Sequence, residues 1–278
     1  MGRLISLLVI ILFSLSCVPR VLITEHPKLV SYYFTKKIES LEKKKTLTFD
    51  QQRALLKTKV EYGFGILMEE SDRVIDDNYN LGVQISRNAY IEFNEAKKIG
   101  NSILSNTYPR FDSWLKNGTE IIFKSNDVFD LYWLAAAFGG AIRSSRGNPF
   151  EVVNLPVVKK LLETAINLNS NWGRGALYSA MMNYTSSRPD LFGDSMVDSI
   201  SYFYEKALIA SDSLNASVYV SYAEIIDKKY QNKTEFEQKL HYVIQMDDKN
   251  DKDFRLSNII AQERAKWLLS KTDEYFFE

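Results

Sequence analysis

One pattern of side chains recurs along this chain at helical spacing: a first residue, a bulky one four positions on, and a small one three further. Ala89, Phe93 and Ala96 fit it fully. Val158, Leu162, Ala165 and Ile200, Tyr204, Ala207 fit with a larger first member, and Phe236, Leu240, Val243 fit loosely. Steps of four and three return to one helix face, and a small residue there leaves a groove for a neighbouring helix. The stretch from Phe129 to Asn183 shows how the helices alternate. Leu131 to Ile142 carries Trp133, Ala136, Ala137 and Gly140. Asn148-Pro149 ends that segment, because the residue before proline avoids helical geometry. Pro156, whose fixed φ suits a first turn, opens a second helix with Val158, Leu162, Ala165 and Ile166 on one side. Trp172-Gly-Arg-Gly175-Ala176 then repeats the aromatic-then-small pattern of Trp133-x-x-Ala136-Ala137.

The last members of the four triplets lie 69, 42 and 36 residues apart. A tetratricopeptide unit is about 34 residues, so 36 is close to one unit and 69 to two. The 42 absorbs a longer connection, Ser186 to Gly193, between helices of one pair. The expected fold is therefore all-α: an α-solenoid of degenerate tetratricopeptide-like helix pairs. An irregular helical bundle would share most of these core positions. Twelve glycines and six prolines are too few for a sheet-rich chain dense in tight turns. Ahead of the repeats, a helix is predicted from Pro27 through Lys45 with Leu29, Tyr33, Ile38 and Leu41 buried. Another follows from Thr48 through Leu55, Val60, Phe64 and Leu67, and Asp72 to Asn80 reads as a turn or helix edge. Between Tyr108 and Asn126 the pattern lapses around Phe111, Trp114, Ile121 and Phe123, which reads as a lid, a filler or a cap. From Phe254 to Leu269 a long amphipathic helix, with Leu256, Ile260, Arg264 and Trp267 on one side, would cap the last repeat.

The N-terminus has its own logic. Met1-Gly-Arg3 is a basic start, and Leu4 to Leu15 is an apolar run of signal-peptide length, short against the roughly 20 residues that span a bilayer. It ends in Ser14-Leu15-Ser16-Cys17, and Cys17 is the one cysteine of the chain. This resembles the lipobox of bacterial lipoproteins, with Ser14 where leucine is usual. An ordinary secretory signal cut after Ser14-x-Ser16 is the alternative reading. The expected organisation is a signal peptide over 1–16, a lipidated tether over 17–28 and a helical-repeat domain over 29–278. Acyl chains on Cys17 would hold the protein on a membrane without spanning it.

The sequence carries little catalytic machinery. His26 and His241 lie in no metal-ligand spacing, and no nucleophile elbow or phosphate-binding glycine loop occurs. Asp247 to Asp253 lacks the bend glycine and closing glutamate of a calcium loop and reads as a turn. Thirty-five basic and thirty-five acidic residues cancel, which gives no bulk-charge argument for nucleic acid. No catalytic residue, metal or cofactor is expected. Binding remains, and the candidates are Tyr132, Trp133, Phe138, Trp172, Tyr178 and Trp267 with Arg143, Arg174, Arg255 and Arg264. Core aromatics with arginines reaching to water is the competing reading for most of them.

Four segments carry a family resemblance: Leu131-Tyr-Trp-Leu-Ala-Ala-Ala-Phe-Gly-Gly-Ala-Ile142, Leu155-Pro-Val-Val-x-x-Leu-Leu-Glu-x-Ala-Ile166, Trp172-Gly-x-Gly-Ala-Leu177 and Arg255-Leu-x-Asn-x-Ile-Ala-Gln-x-Arg-Ala-x-Trp-Leu-Leu269. From Glu25 to Phe277 the chain resembles the T-component lipoproteins (TatT) of tripartite ATP-independent periplasmic (TRAP) transporters. It departs at Phe138, where tryptophan is common, and in the Asp247–Asp253 loop, which lacks a proline. The resemblance implies a tetratricopeptide-like lipoprotein in the bacterial envelope, anchored through Cys17 and facing the periplasm. It implies a homotrimer, a periplasmic solute-binding protein as partner, and an apolar channel for a hydrophobic or amphipathic ligand. A tetratricopeptide lipoprotein scaffold for cell-envelope assembly is the rival reading.

Overall fold

The computed structural model describes Arg20 and residues 24–277, and among these residues there is no strand. Helix α1 (Pro27–Glu42) packs on α2 (Phe49–Tyr62), which Thr48 opens with a reciprocal capping box to Gln51. Without a break α2 passes through a π-helical segment, Gly63–Met68, into α3 (Glu69–Val74). Asn78 then caps α4 (Tyr79–Thr107), which packs along that whole compound helix. The short α5 (Phe111–Leu115) and a 3-10 turn at Ser125–Asp127 lead into α6 (Val128–Ser144). Next come the one-turn α7 (Pro149–Val152), α8 (Leu155–Asn169), α9 (Ala176–Ser186) and α10 (Gly193–Ala210). The last pair is α11 (Ala216–Tyr222), prolonged by a second π-helical segment at Ala223–Asp227, and α12 (Lys233–Gln245). Helix α13 (Arg255–Ser270) and the short α14 (Thr272–Tyr275) complete the chain.

Packing follows chain order: α4 on α2–α3, α6 on α4, α8 on α6, α10 on α9, and α13 on α11 and α12. The apolar core divides accordingly into successive clusters, from Leu56, Phe93 and Ala137 at one end to Val220, Leu240 and Leu268 at the other. All four sequence triplets fall on second helices of pairs, α4, α8, α10 and α12, and every member except Tyr204 is buried. The predicted all-α series of helix pairs is therefore what forms.

Three expectations need correction. The 69 residues between Ala96 and Ala165 hold one pair plus an insertion, not two units. In the insertion Phe111, Trp114 and Phe123 are buried with Leu131, Leu134 and Leu161. Trp114 and Phe123 meet edge-on at 4.8 Å, Tyr108 donates to Asp127, and Lys160 donates to the Trp114 carbonyl. This segment fills the core of the second pair, as the filler reading has it, and is neither a lid nor a cap. Second, Leu29 and Tyr33 are 54% and 49% exposed. The buried side of α1 is set by Phe34, which stacks on Tyr62 at 5.9 Å, and by Ile38 and Leu41. At about 100° per residue, Tyr33 sits roughly 105° and Leu29 roughly 145° away from that side. Third, α1 stops at Glu42 rather than Lys45. The Glu42 carboxylate reaches the buried Lys59 ammonium at 2.6 Å, which Glu92 and Glu95 of α4 also hold at 2.9 and 2.5 Å. Burial works against that charge, and the three carboxylates more than reverse it, so the lysine stays ionised and ties α1, α2 and α4 together.

Two glycines explain how the first two pairs come so close. A Cβ on Gly63 would sit 2.6 Å from the Phe93 ring, and one on Gly140 would sit 2.3 Å from it. Phe93 is fully buried in the notch these glycines make on the π segment and on α6. At the third pair Gly175 has φ of 95°, and a Cβ there would meet the Ala207 carbonyl oxygen at 2.6 Å. Phe93→Ala is expected to cost about 3–5 kcal/mol, and Gly140→Ala roughly 1–3 kcal/mol by overpacking. Adding Phe93→Leu to Gly140→Ala should return part of the second loss, and urea unfolding of the variants measures all of it.

Candidate functional site

The compound helix α2–α3 and helix α6 run side by side in the same direction. Arg53 meets Asp130 with N–O distances of 2.8 and 2.5 Å and lies 5.3 Å over the Phe129 ring. One turn further the Lys57 ammonium lies 5.7 Å over the Trp133 ring. At the far end Arg143 bonds Asp72 at 2.6 Å. Two clusters sit at the ends of this shared face, one aromatic and one charged.

At the aromatic end the Tyr132 ring stands 5.1 Å from Trp133 and 4.8 Å from Trp172, and Phe129 stands 6.1 and 6.3 Å from the same two indoles. Trp172 arrives from the connection between α8 and α9. Its neighbours Gly173, Arg174 and Gly175 all take positive φ, which turns the chain sharply enough to present the indole to α6. The rings are half-buried, and the Trp133 Nε1–H is buried without a hydrogen-bond acceptor. Burial, with the Glu61 charge second, pushes the Tyr132 hydroxyl up to about 12. Burial also raises the Glu61 carboxyl, against the pull of Lys57, its partner at 3.6 Å. A wall of this kind offers ring faces to an apolar body and one indole donor to an acceptor.

The charged end is built around Arg264 of α13. Its guanidinium takes Glu224 in a bidentate pair at 2.8 and 2.6 Å, and reaches Glu69 and Asp72 at 3.0 Å each. Glu69 lies 195 residues back in the chain. The helix that ends the series therefore returns to the first pair, where Arg73 and Arg264 lie 5.8 and 5.3 Å over the Trp267 ring. Ile260 is the near neighbour of Gly65 across the same contact, at 3.8 Å from a Cβ built there. Both π-helical segments border this cluster: Glu69 follows the first, and Glu224 lies in the second. Such segments shift the register of side chains around a helix, which turns both carboxylates toward α13. Burial opposes the Arg264 charge, and its carboxylates outweigh burial. Burial raises the Glu69 carboxyl, with Arg264 opposing, and Glu69 Oε2 is buried without a hydrogen-bond partner. Arg264 and Arg143, with Arg73 4.0 Å from Glu69, thus face three carboxylates.

Of the residues singled out in the sequence, Tyr132, Trp133 and Trp172 come together, and Arg143, Arg264 and Trp267 meet at the other end. Phe138 belongs to the core, with the Lys97 ammonium 4.9 Å over its ring. Tyr178 is half-buried on α9. Arg174 bonds Asp251 and lies 4.7 Å over Phe254, and Arg255 pairs with Asp248 at 3.7 Å, so both brace the loop that precedes α13. Cys17 lies outside the described residues. Sequence reasoning missed Lys57, Glu61, Glu69, Asp72, Phe129 and Glu224. The four-residue steps of Arg53, Lys57 and Glu61 were the available signal. Two surface cavities, of about 380 Å³ beside Tyr242 and Asp247 and about 420 Å³ beside Lys160 and Glu163, lie away from both clusters. Among the described residues, no three His, Cys, Asp or Glu side chains are grouped to hold a metal ion. No described helix is long and apolar enough to cross a membrane.

Residues 51–276, from the first inner helix to the end of the cap, match the TRAP transporter T-component family. The chain belongs to that family. The matched region contains both clusters and all four helix pairs. A T-component is an accessory protein of TRAP transport, a system of the bacterial envelope. The chain is also similar to an uncharacterised protein of Treponema pallidum (strain Nichols), 21% identical over 184 residues. That alignment covers 64% of this chain and 57% of the Treponema protein.

Arg264→Leu leaves three half-buried carboxylates with only Arg73 and Arg143 beside them and is expected to cost about 3 kcal/mol in urea unfolding. The loss should centre on the contact between α13 and α3, read as faster hydrogen exchange over both π segments. Glu69 has a sign of its own. Because its folded carboxyl is raised, its contribution is fully present below its unfolded value and is lost as pH rises through the folded one. Glu69→Gln should flatten that acid-side fall in stability, measured as unfolding free energy against pH.

Proposed function

We propose that this protein is a lipid-anchored periplasmic T-component that binds the solute-binding protein of a TRAP-type transporter and holds a hydrophobic or amphipathic ligand. The family match over residues 51–276 carries this reading. The lipobox-like Ser14-Leu15-Ser16-Cys17 supports the anchor, and helix pairs packed in series supply the extended surface that such proteins use for partners. The Phe129, Tyr132, Trp133 and Trp172 wall is where the ligand would lie. Its aromatic faces suit an apolar body, and the unpartnered indole N–H suits a polar end that accepts a hydrogen bond. In this reading the work of the protein is binding and handing on rather than chemistry. A homotrimer belongs to the same proposal.

A pull-down from a detergent lysate of the native organism tests it, with the mature protein carrying Cys17→Ser as bait. Recovery of a periplasmic solute-binding protein is the expected result. Envelope-assembly proteins without a solute-binding protein would instead identify a scaffold. In the recovered complex, Trp133→Ala with Trp172→Ala should lower the amount of co-purifying apolar ligand about tenfold while the partner remains bound. Mass spectrometry of extracted ligand reads the first, and gel filtration the second.

A further inference from the structure

The core-facing side of α1 is complete without Leu29, Tyr32 and Tyr33. Phe34, Ile38 and Leu41 pack against the first pair, Ser31 bonds the Tyr62 hydroxyl at 3.3 Å, and Glu42 closes on Lys59. What remains is an outward stripe of Lys28, Leu29, Tyr32, Tyr33 and Lys36, in which Leu29, Tyr32 and Tyr33 are 54%, 60% and 49% exposed. Its composition is that of a helix lying at a lipid surface: apolar and aromatic bodies in the middle, with a lysine at each end. Tyrosine suits such a boundary because its ring is apolar and its hydroxyl is polar. Lysine suits it because the stem can cover apolar surface while the ammonium reaches headgroup phosphates. The Lys36 ammonium lies 5.5 Å over the Tyr32 ring and 2.8 Å from Glu39, so it is Lys28 that faces outward without a carboxylate beside it in this stripe.

The length of chain between this stripe and Cys17 decides what meets it. Arg20 is held against α13 and the loop before it, 3.4 Å from Asp248 and 3.9 Å from Glu263. Arg20 is three residues on from Cys17, a reach of at most about 11 Å. Pro27 opens α1 only seven residues after Arg20. Thr24 donates to the Arg20 carbonyl at 3.3 Å and Pro27 opens α1 three residues later, so an acyl anchor on Cys17 stays within a short reach of the first turns of α1. We infer that the Lys28, Leu29, Tyr32, Tyr33 and Lys36 face of α1 lies on the headgroup region of the membrane, fixing how the helix pairs stand above it. This rests on the lipid-anchored reading above and adds an orientation to it.

The test uses the full chain, processed and acylated in a bacterial host and placed in vesicles of phosphatidylethanolamine and phosphatidylglycerol. Acylated Cys17 cannot react with a maleimide, so a polarity-sensitive nitrobenzoxadiazole dye can be placed at Tyr33→Cys or, as a reference, at the exposed Phe192→Cys. Intact mass verifies the acyl chains, and circular dichroism verifies the fold. The dye at position 33 should shift to the blue and lose emission roughly twofold or more to nitroxide-bearing lipid, while the dye at 192 stays unchanged. An acylated chain whose dye at 33 remains water-like overturns the orientation and leaves the anchor standing. Shielding of the dye that follows protein concentration instead of lipid also overturns it, and assigns the stripe to contact between copies. A mature mass without acyl chains removes the anchor itself, and the orientation with it.

Discussion

The fold turns on how closely one aromatic ring can be approached by two helices. Phe93 projects from α4 into a notch made by Gly63 and Gly140, where either Cβ would overlap its ring. This contact sets the spacing of the first pair against the second. The next contact along repeats the device more mildly, with Leu134 against Gly100, where a Cβ would lie 3.0 Å away. An ordinary alanine at Gly63 or Gly140 would push α4 outward by the size of a methyl group. That would move every group positioned by α2 relative to α6, including the pairs Arg53–Asp130, Lys57–Trp133 and Asp72–Arg143. Interiors packed to this density transmit such shifts instead of absorbing them. The registry of both candidate clusters is therefore a consequence of the notch.

A series of helix pairs held only by neighbour contacts would be free to spread at its ends. Here the ends are joined. Arg264 bridges the first and last pairs across 195 residues, and its guanidinium plane meets three carboxylates at once. A lysine could not do this, because a point charge lacks the fork that matches a carboxylate while two further donors point elsewhere. The two π-helical segments belong to the same solution. Each alters the side-chain register of an inner helix just where a carboxylate must turn toward α13. A charged closure is less stabilising than apolar packing of equal area, but it demands one geometry, and a slipped alignment would bury unpaired charge.

How much of this was legible in the sequence follows from the range of each interaction. The triplets are local, within eight residues, and they marked all four second helices correctly. The prolines of the Phe129–Asn183 stretch are also local, and they placed the end of α6 and the start of α8 within a few residues. The insertion around Phe111, Trp114 and Phe123 was not legible, because its order comes from packing on α6 and α8 and not from its own periodicity. In α1, Leu29 and Tyr33 look like core by hydropathy, and only the partner helix decides that Phe34 and Ile38 face inward. Among the site residues, the aromatic cluster was visible because its members lie within 44 residues of one another. The Arg264 cluster was half visible: the arginine stood out, but Glu69, Asp72 and Glu224 are ordinary surface-type residues whose meeting depends on the return of the last helix.

The two clusters divide the shared face of α2 and α6 into regions of different physical character, and the division constrains how a ligand could sit there. Aromatic faces and one indole donor can be desolvated at modest cost, so the end with Tyr132, Trp133 and Trp172 can exchange water for an apolar body. The Arg264 end cannot, because its charged groups are already paired with one another and any intruding molecule would have to replace short, charge-assisted bonds. A ligand entering along this face would therefore be stopped in the direction of Asp72 and Arg143. Length along the helix from Phe129 to Arg143 is about 20 Å at the usual rise per residue, which bounds an extended ligand on this wall. In the proposed function, the same closure leaves the aromatic end as the side from which a partner protein would receive or deliver it.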